Sequence, residues 1–449
     1  MKKDLTQGEV TRTMLLFAGP MILGNLLQQC YNIADTLIVG RYLGPDALAA
    51  VGSAYTLMTF LTSILIGLCM GSGSVYSFHF GRRDEAQMKN SMAIAFLLIG
   101  AVTIGMNAAV FAGLDWILKV LQVPGSLLGM MREYVAVIFA GIFFVFLYNY
   151  FSFLLRAVGN SVTPLWFLGG AAVLNVILDL VFVIRLHLGI GGAALATVIA
   201  QAFSGLGIGI YTWRKEPGLR PVRSEIRFGR AEVKEIVRFS TAACIQQSVM
   251  NFGILMIQGL VNSFGAAVMA AFAAGVKIDS FAYMPAQEFG NAFSIFTSQN
   301  HGAGKEERVR QGVRRAVTVS VWFCLAVSVL VWLLAPYLLQ IFIDGSETEI
   351  IRIGAGYLRT EGAFYCGIGI LFLLYAYFRG IGRPEMSVVL TVISLGTRVL
   401  LAYVLSPVPA IGVRGIWWAI PIGWILADIV GITAIIRRAP ALSGPSRTE

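Results

Sequence analysis

Eight ionisable side chains fall within apolar stretches of this chain: Asp35, Asp179, Asp279, Glu288, Glu361, Asp428, Lys277 and Arg398. A charge placed there costs several kcal/mol and seldom persists without a partner or a role. Asp35 lies fifteen residues after Pro20, and that proline removes a helical hydrogen bond, giving its helix a hinge at which to bend. Asn175 and Asp179 are four apart and share one helix face, with Thr197 of the next span able to reach the same level. Two carboxylates, an amide and a hydroxyl form an oxygen-rich cluster suited to sodium or to a proton, since burial and a neighbouring like charge both favour protonation. A buried polar knot that only pins helices is the structural alternative.

The second half of the chain carries a different set. Lys277, Asp279 and Arg398, with the amides Gln246 and Asn251, are candidate walls of a substrate cavity, although the charges could also simply neutralise one another. Lys277 and Asp279 share no face of a regular helix, so Pro285 and the surrounding small residues suggest an irregular segment lining a cavity. Glu361 and Asp428 read as wet positions towards span ends. Five cysteines inside apolar runs read as small core residues.

What must position these groups is set by composition. Of 449 residues, 57% are hydrophobic and only 13% charged, which excludes a water-soluble enzyme, a disordered chain and a disulfide-built module. Runs of roughly 20 apolar residues, without the short alternation of barrel strands, predict an all-α polytopic membrane protein. Twelve spans are expected, near 14–39, 51–77, 92–112, 133–155, 161–184, 191–212, 239–261, 266–296, 316–334, 353–378, 386–405 and 412–436. The start Met1-Lys2-Lys3-Asp4 leads into a first run too long for a cleaved signal, so that span is expected to be retained. Lys and Arg number 25 on the side of the termini and seven on the other, which predicts both termini in the cytoplasm and a multi-pass protein of the cell membrane. The net charge of +10 is then topology and contact with anionic lipid, with no call for nucleic acid.

A basic stretch, 213–238, divides an amino-terminal lobe, 1–212, from a carboxy-terminal lobe, 239–436, followed by a tail, 437–449. The lobes repeat. Gly44 and His79-Phe80-Gly81 meet Gly265 and Asn300-His301-Gly302 at an offset of 221, and Arg156, Gly159 and Gly189 meet Arg379, Gly382 and Gly412 at 223. Six spans per copy restore the same orientation, so two pseudo-symmetric six-helix lobes facing a shared cleft are expected, related by an axis along the membrane normal. The charges break the symmetry: Met256 and Ala402 stand opposite Asp35 and Asp179, and Arg398 stands opposite Asn175.

Several segments carry a resemblance. Pro20-Met21-Ile22-Leu23, Asp35-Thr36-Leu37-Ile38-Val39-Gly40, Leu43-Gly44-Pro45-Asp46-Ala47-Leu48-Ala49-Ala50, Asn175-Val176-Ile177-Leu178-Asp179 and Gln299-Asn300-His301-Gly302-Ala303-Gly304 closely resemble the multidrug and toxic compound extrusion (MATE) family. The resemblance spans about residues 10 to 436. It implies a twelve-helix exporter that moves amphipathic or cationic drugs outward in exchange for sodium or protons, without a further cofactor, and it matches family cation sites to Asp35, Asn175, Asp179 and Thr197 and the bending proline to Pro20. A monomer acting on small molecules within membrane lipid is expected. One branch of the family places a glutamate in the seventh span for a second cation site; here Gln246, Gln247 and Asn251 stand there, so no such site is expected. The exit of the second span lacks the usual glutamine, and His79 there reads as a loop residue.

The expected mechanism has a cleft that loads a lipophilic cation from inside, and an entering ion at Asp35 and Asp179 that bends the first helix at Pro20 and weakens substrate binding. A flippase for lipid-linked precursors of the same superfamily is the alternative, kept open by Lys277 and Arg398. His79, His187 and His301, all placed in loops, offer neither a metal set nor a nucleophile's base, which argues against an enzyme. A channel fits duplicated halves around an acidic midplane site less well.

Overall fold

A computed structural model of the chain describes residues 4–120, 125–221 and 226–437. The descriptions therefore omit Lys2 and Lys3, part of the basic stretch, and the expected tail beyond Arg437. Fourteen α-helices account for the described architecture: α1 Val10–Tyr42, α2 Pro45–Arg82, α3 Glu85–Val120, α4 Leu128–Ala140, α5 Ile142–Ala157, α6 Val162–Asp179, α7 Gly189–Lys215, α8 Arg230–Asn262, α9 Ala266–Gly302, α10 Glu306–Leu339, α11 Thr348–Gly362, α12 Tyr365–Gly380, α13 Pro384–Leu405 and α14 Arg414–Ile436. Ten spans, counting α6 with its continuation to Arg185, are long and apolar enough to cross a membrane. Two bent pairs, α4 with α5 at 45° and α11 with α12 at 50°, each complete one more, giving the twelve that the hydropathy predicts. Large apolar side chains face outward along these helices, Trp166 at 74% and Trp322 at 70% exposure, a surface that only lipid can cover.

Backbone geometry carries the repeat further. The bent span occupies the same place in each half. The paired glycines share left-handed backbones, with φ of 89° and 94° at Gly44 and Gly265, 82° and 80° at Gly159 and Gly382, and 61° and 54° at Gly189 and Gly412. Such angles are open to glycine and costly to most other residues, which is why these positions hold glycine in both copies. The stretch read as a linker is partly helical: α7 runs to Lys215 and α8 begins at Arg230, around a short turn at Pro217–Leu219.

The described chain divides into two compact units. Unit 1 comprises residues 1–247 together with 298–305. In it α7 packs against α5 and α6, α6 against α1, and α2 against α3 and α5. Its core holds a cluster of tilted and edge-on rings, Phe96, Phe146 and Tyr150, with centroids 5.1–5.9 Å apart. A close crossing of α2 and α8 depends on small residues: a Cβ on Gly71 would stand 2.2 Å from the carbonyl oxygen of Phe239, and beside it the Ser72 and Ser240 hydroxyls lie 2.7 Å apart.

The amino terminus is tied into the same unit. Glu9 caps α1, accepting from the amides of Thr11 and Arg12 at 3.0 and 2.8 Å. Ahead of it, Leu5 is fully buried; its N–H donates to Gln299 Oε1 at 3.2 Å and its carbonyl accepts from Asn300 Nδ2 at 3.2 Å. Lys305 Nζ donates to the Thr6 carbonyl at 2.7 Å. Residues 4–8 thus form a strap against the last turn of α9.

Unit 2 comprises residues 248–297 and 306–449. There α13 and α14 pack closely, α10 lies against α11 and α12, and α12 against α13 and α14. Phe272 stacks on Trp417 at 5.6 Å, and Tyr357 meets the same indole edge-on at 4.9 Å.

Candidate functional site

In unit 1 the four residues expected from sequence come from three helices. Asp35 stands on α1, Asn175 and Asp179 on α6, and Thr197 on α7. Asn175, Asp179 and Thr197 are buried at 1%, 0% and 4% exposure, and Asp35 is half-buried. Asn175 Nδ2 donates to Thr197 Oγ1 at 3.3 Å, and that hydroxyl donates to the Ala193 carbonyl at 3.2 Å. The Thr197 hydroxyl therefore holds the amide by its donor end. That leaves Asn175 Oδ1, both Asp179 oxygens and Asp35 Oδ1 buried and without a hydrogen-bond donor. The two carboxylates are close enough to interact with each other, and Tyr31 and Tyr134 stand within electrostatic range of both.

Buried oxygens are almost always paired, so these unpartnered oxygens on α1 and α6 single the cluster out as the candidate site of unit 1. Its groups offer oxygen alone, the donor type that hard cations take. Local backbone geometry is unusual at the same place. Asp179 is the last α-helical residue before a π-helical segment, Leu180–Arg185, a widening often found where a helix serves a function. α1 passes through Pro20, the expected bending point, as one continuous helix without a break.

Unit 2 holds a second polar cluster, with a composition that the sequence reading only partly foresees. A cavity of about 80 Å³ is lined by Asp279, Glu361 and Arg398, together with Tyr283, Tyr357 and Trp424 among others. Tyr365 donates its hydroxyl to Asp279 Oδ1, and Tyr357 donates to Glu361 Oε2 at 2.8 Å. Asp279 Oδ2 and Arg398 Nε are buried without a hydrogen-bond partner.

Lys277 is not part of this wall. Because α9 stays helical through Pro285, with no irregular segment, residues 277 and 279 point apart, and the Lys277 ammonium lies over the Phe342 ring at 5.6 Å. Gln246 is buried within unit 1, and Asn251, in unit 2, is likewise not among the cavity-lining residues. Glu361, read as a wet position, is instead 4% exposed and sits just before the break between α11 and α12. The loop expected at His79 is helix instead. His79 lies within α2 at 4% exposure, with Nε2 3.4 Å from Glu235 Oε2, because α2 continues beyond its apolar run.

The tyrosines are what sequence reading missed, and a signal for them existed. A tyrosine stands four residues from an acid on one helix three times, as Tyr31 with Asp35, Asp279 with Tyr283, and Tyr357 with Glu361. That spacing places both groups on one face. Among the described residues no group of three or more His, Cys, Asp or Glu side chains is arranged to hold a metal ion, so any bound cation would draw on amide, hydroxyl and carboxylate oxygens.

Comparison with known proteins follows the same lines. The MatE family model matches residues 20–181 and again 242–404, spaced as the sequence repeat is. YpnP, a probable multidrug resistance protein of Bacillus subtilis (strain 168), is 33% identical over 391 residues, 87% of each chain. A multidrug resistance MATE family transporter of the MOP superfamily, solved in an outward-facing conformation, superposes with a TM-score of 0.92 at 25% identity and 98% coverage of each chain. A MOP superfamily transporter from Pyrococcus furiosus Vc1, whose binding pocket of reverse polarity suggests a different function for that protein, gives the same score, identity and coverage. Together with the twelve spans, these matches place the chain in the MatE family of multidrug and toxic compound extrusion proteins: it is a multi-span membrane transporter and not an enzyme.

Proposed function

We propose that this transporter exports amphipathic organic cations and related drugs across the cell membrane, with both termini in the cytoplasm, in exchange for a proton or sodium ion bound at Asp35, Asn175, Asp179 and Thr197. The observation that supports the reading most is the set of four donorless oxygens buried in unit 1. Relatives named as multidrug resistance proteins support the substrate class.

Two facing carboxylates in apolar surroundings cannot both stay charged and unpaired, so the cluster takes up a cation from whichever side it opens to. An ion gradient directed inward loads it from outside. Loading neutralises the negative charge that would otherwise hold a cationic drug, and ion and drug therefore compete. The ion moves the equilibrium between states only as far as its affinities for them differ. Pro20 lets α1 bend when Asp35 is discharged, since no hydrogen bond ties the proline nitrogen to the preceding turn. Asp35→Asn is expected to abolish gradient-driven export while leaving a folded, monodisperse protein. Full gradient-driven export by that variant would overturn the assignment.

A further inference from the structure

The repeat sets the two units side by side position by position. At the offset of 223, Asn175, Asp179 and Thr197 of unit 1 correspond to Arg398, Ala402 and Ile420 of unit 2. A ligand for a cation has been exchanged for a cation, and the remaining oxygens of that site have been exchanged for methyl and alkyl groups. Unit 2 nevertheless keeps two acids, Asp279 at 1% and Glu361 at 4% exposure, on the wall of a cavity they share with Arg398. Each acid receives one tyrosine hydroxyl, and Asp279 Oδ2 faces no donor.

Two buried acids on one cavity wall can both ionise only with a positive charge close by. The cavity wall offers one. Among the described residues lining it Arg398 is the only basic side chain, since Lys277 is turned onto Phe342. A guanidinium keeps its charge at every working pH, and a covalent tether gives it an effective concentration that a dissolved ion cannot match.

We propose that Arg398 is a tethered cation that takes, in unit 2, the place a dissolved cation takes in unit 1. Its charge stands against the Asp279 and Glu361 pair, so unit 2 binds no inorganic cation and ion coupling belongs to unit 1 alone. The inference rests on the reading of unit 1 as the ion-coupling site. The groups facing the cavity that bear on it are Asp279, Tyr283, Tyr357, Glu361 and Arg398, with Tyr365 bonded to Asp279 from behind the lining. With the tether removed, the acids and tyrosine hydroxyls become an oxygen cage like that of unit 1.

The test is equilibrium binding of radioactive sodium to the purified full chain in detergent at about pH 9, where ordinary carboxylates have lost their protons. Asp35→Asn with Asp179→Asn serves as the background, to silence unit 1. That background protein is expected to bind no sodium. Adding Arg398→Asn, which installs the residue of the repeat position, should create about one site per chain, an oxygen-ligated one of the kind hard cations take. Glu361→Gln should remove the new site again, and Arg398→Lys should not create it.

Sodium binding by the background protein overturns the proposal, and that arm needs no change at Arg398. So does a folded Arg398→Asn or Arg398→Gln protein that binds none. Failure of the unit 1 assignment shows elsewhere, as gradient-driven export surviving Asp35→Asn, so the two outcomes are separable.

Discussion

Thr197→Val is a nearly isosteric change that removes only the hydroxyl, and it interrogates the unit 1 cluster without touching a charge. The hydroxyl accepts from Asn175 Nδ2 at 3.3 Å and so fixes the orientation of the amide plane, whose Oδ1 has no hydrogen-bond partner. Both of its bonds are slightly longer than the usual range, 3.3 and 3.2 Å, so each belongs in the lower half of the usual net contribution, about 0.5–1 kcal/mol. If a bound ion uses the oriented amide oxygen, valine raises the half-saturating ion concentration for drug export by roughly two- to fivefold, the Boltzmann factor of that energy. Leaving a buried amide donor unpaired also costs about 1–3 kcal/mol of stability. Thr197→Ser keeps the hydroxyl and should restore the ion dependence. The assay is initial efflux rate from proteoliposomes against external proton or sodium concentration, with thermal denaturation in parallel. An unchanged half-saturation in the valine protein, accompanied by the loss of stability, would refute the reasoning and reduce the cluster to a structural knot.

Further expectations concern the frame around the site. Gly71→Ala drives a Cβ to 2.2 Å from the Phe239 carbonyl oxygen, a clash with backbone that no rotamer relieves, and should lower stability by about 1–3 kcal/mol in a thermal melt. Gly105→Ala meets nothing within 4 Å and should instead be neutral or stabilising by up to about 1 kcal/mol, so equal effects from the two would contradict the described crossing of α2 and α8. Tyr357→Phe removes the donor to Glu361 Oε2 and should cost about 1–3 kcal/mol, read in the same melt; no loss would mean that the hydroxyl is not that carboxyl's partner. Burial works to raise the Asp4 carboxyl, but hydrogen bonds from the Thr6 hydroxyl and amide, and the charges of Lys305 and Arg83, outweigh it and hold the group below the usual carboxylate range. A depressed folded-state value means stability that is present above the ordinary carboxylate range and lost as pH falls through and below it. The strap should therefore loosen on acidification, seen as faster Leu5 amide exchange after correction for intrinsic rates, and Asp4→Asn should lose this pH dependence.

The sequence discloses the spans because a membrane leaves the backbone only a few solutions, and long apolar runs select helices. It discloses the repeat through glycines whose left-handed angles recur at matched positions, Gly159 with Gly382 above all. The unit 1 cluster was legible because Asn175 and Asp179 lie one helical turn apart and because charge inside an apolar run is conspicuous. Three things were hidden for physical reasons. Pro285 suggested a broken α9, yet in a helix of 37 residues the surroundings keep the chain helical through it, which sends Lys277 and Asp279 to different faces. His79 looked like part of a loop because hydropathy falls where the apolar run ends, while α2 itself continues to Arg82. The strap of residues 4–8 has no periodicity to read, and its partners Gln299, Asn300 and Lys305 are nearly 300 positions away.

The central claim is that movement of drug is tied to movement of an ion through the unit 1 carboxylates. The most direct test is uphill movement of a fluorescent organic cation in proteoliposomes energised by a pH gradient or a sodium gradient, each imposed alone. Wild-type protein is expected to concentrate the cation against its gradient under one of the two, and the ion that succeeds is the coupling ion. Asp35→Asn with Asp179→Asn is expected to allow no accumulation under either. Uphill movement by the doubly substituted protein, or none by folded wild type under both gradients, would contradict the account.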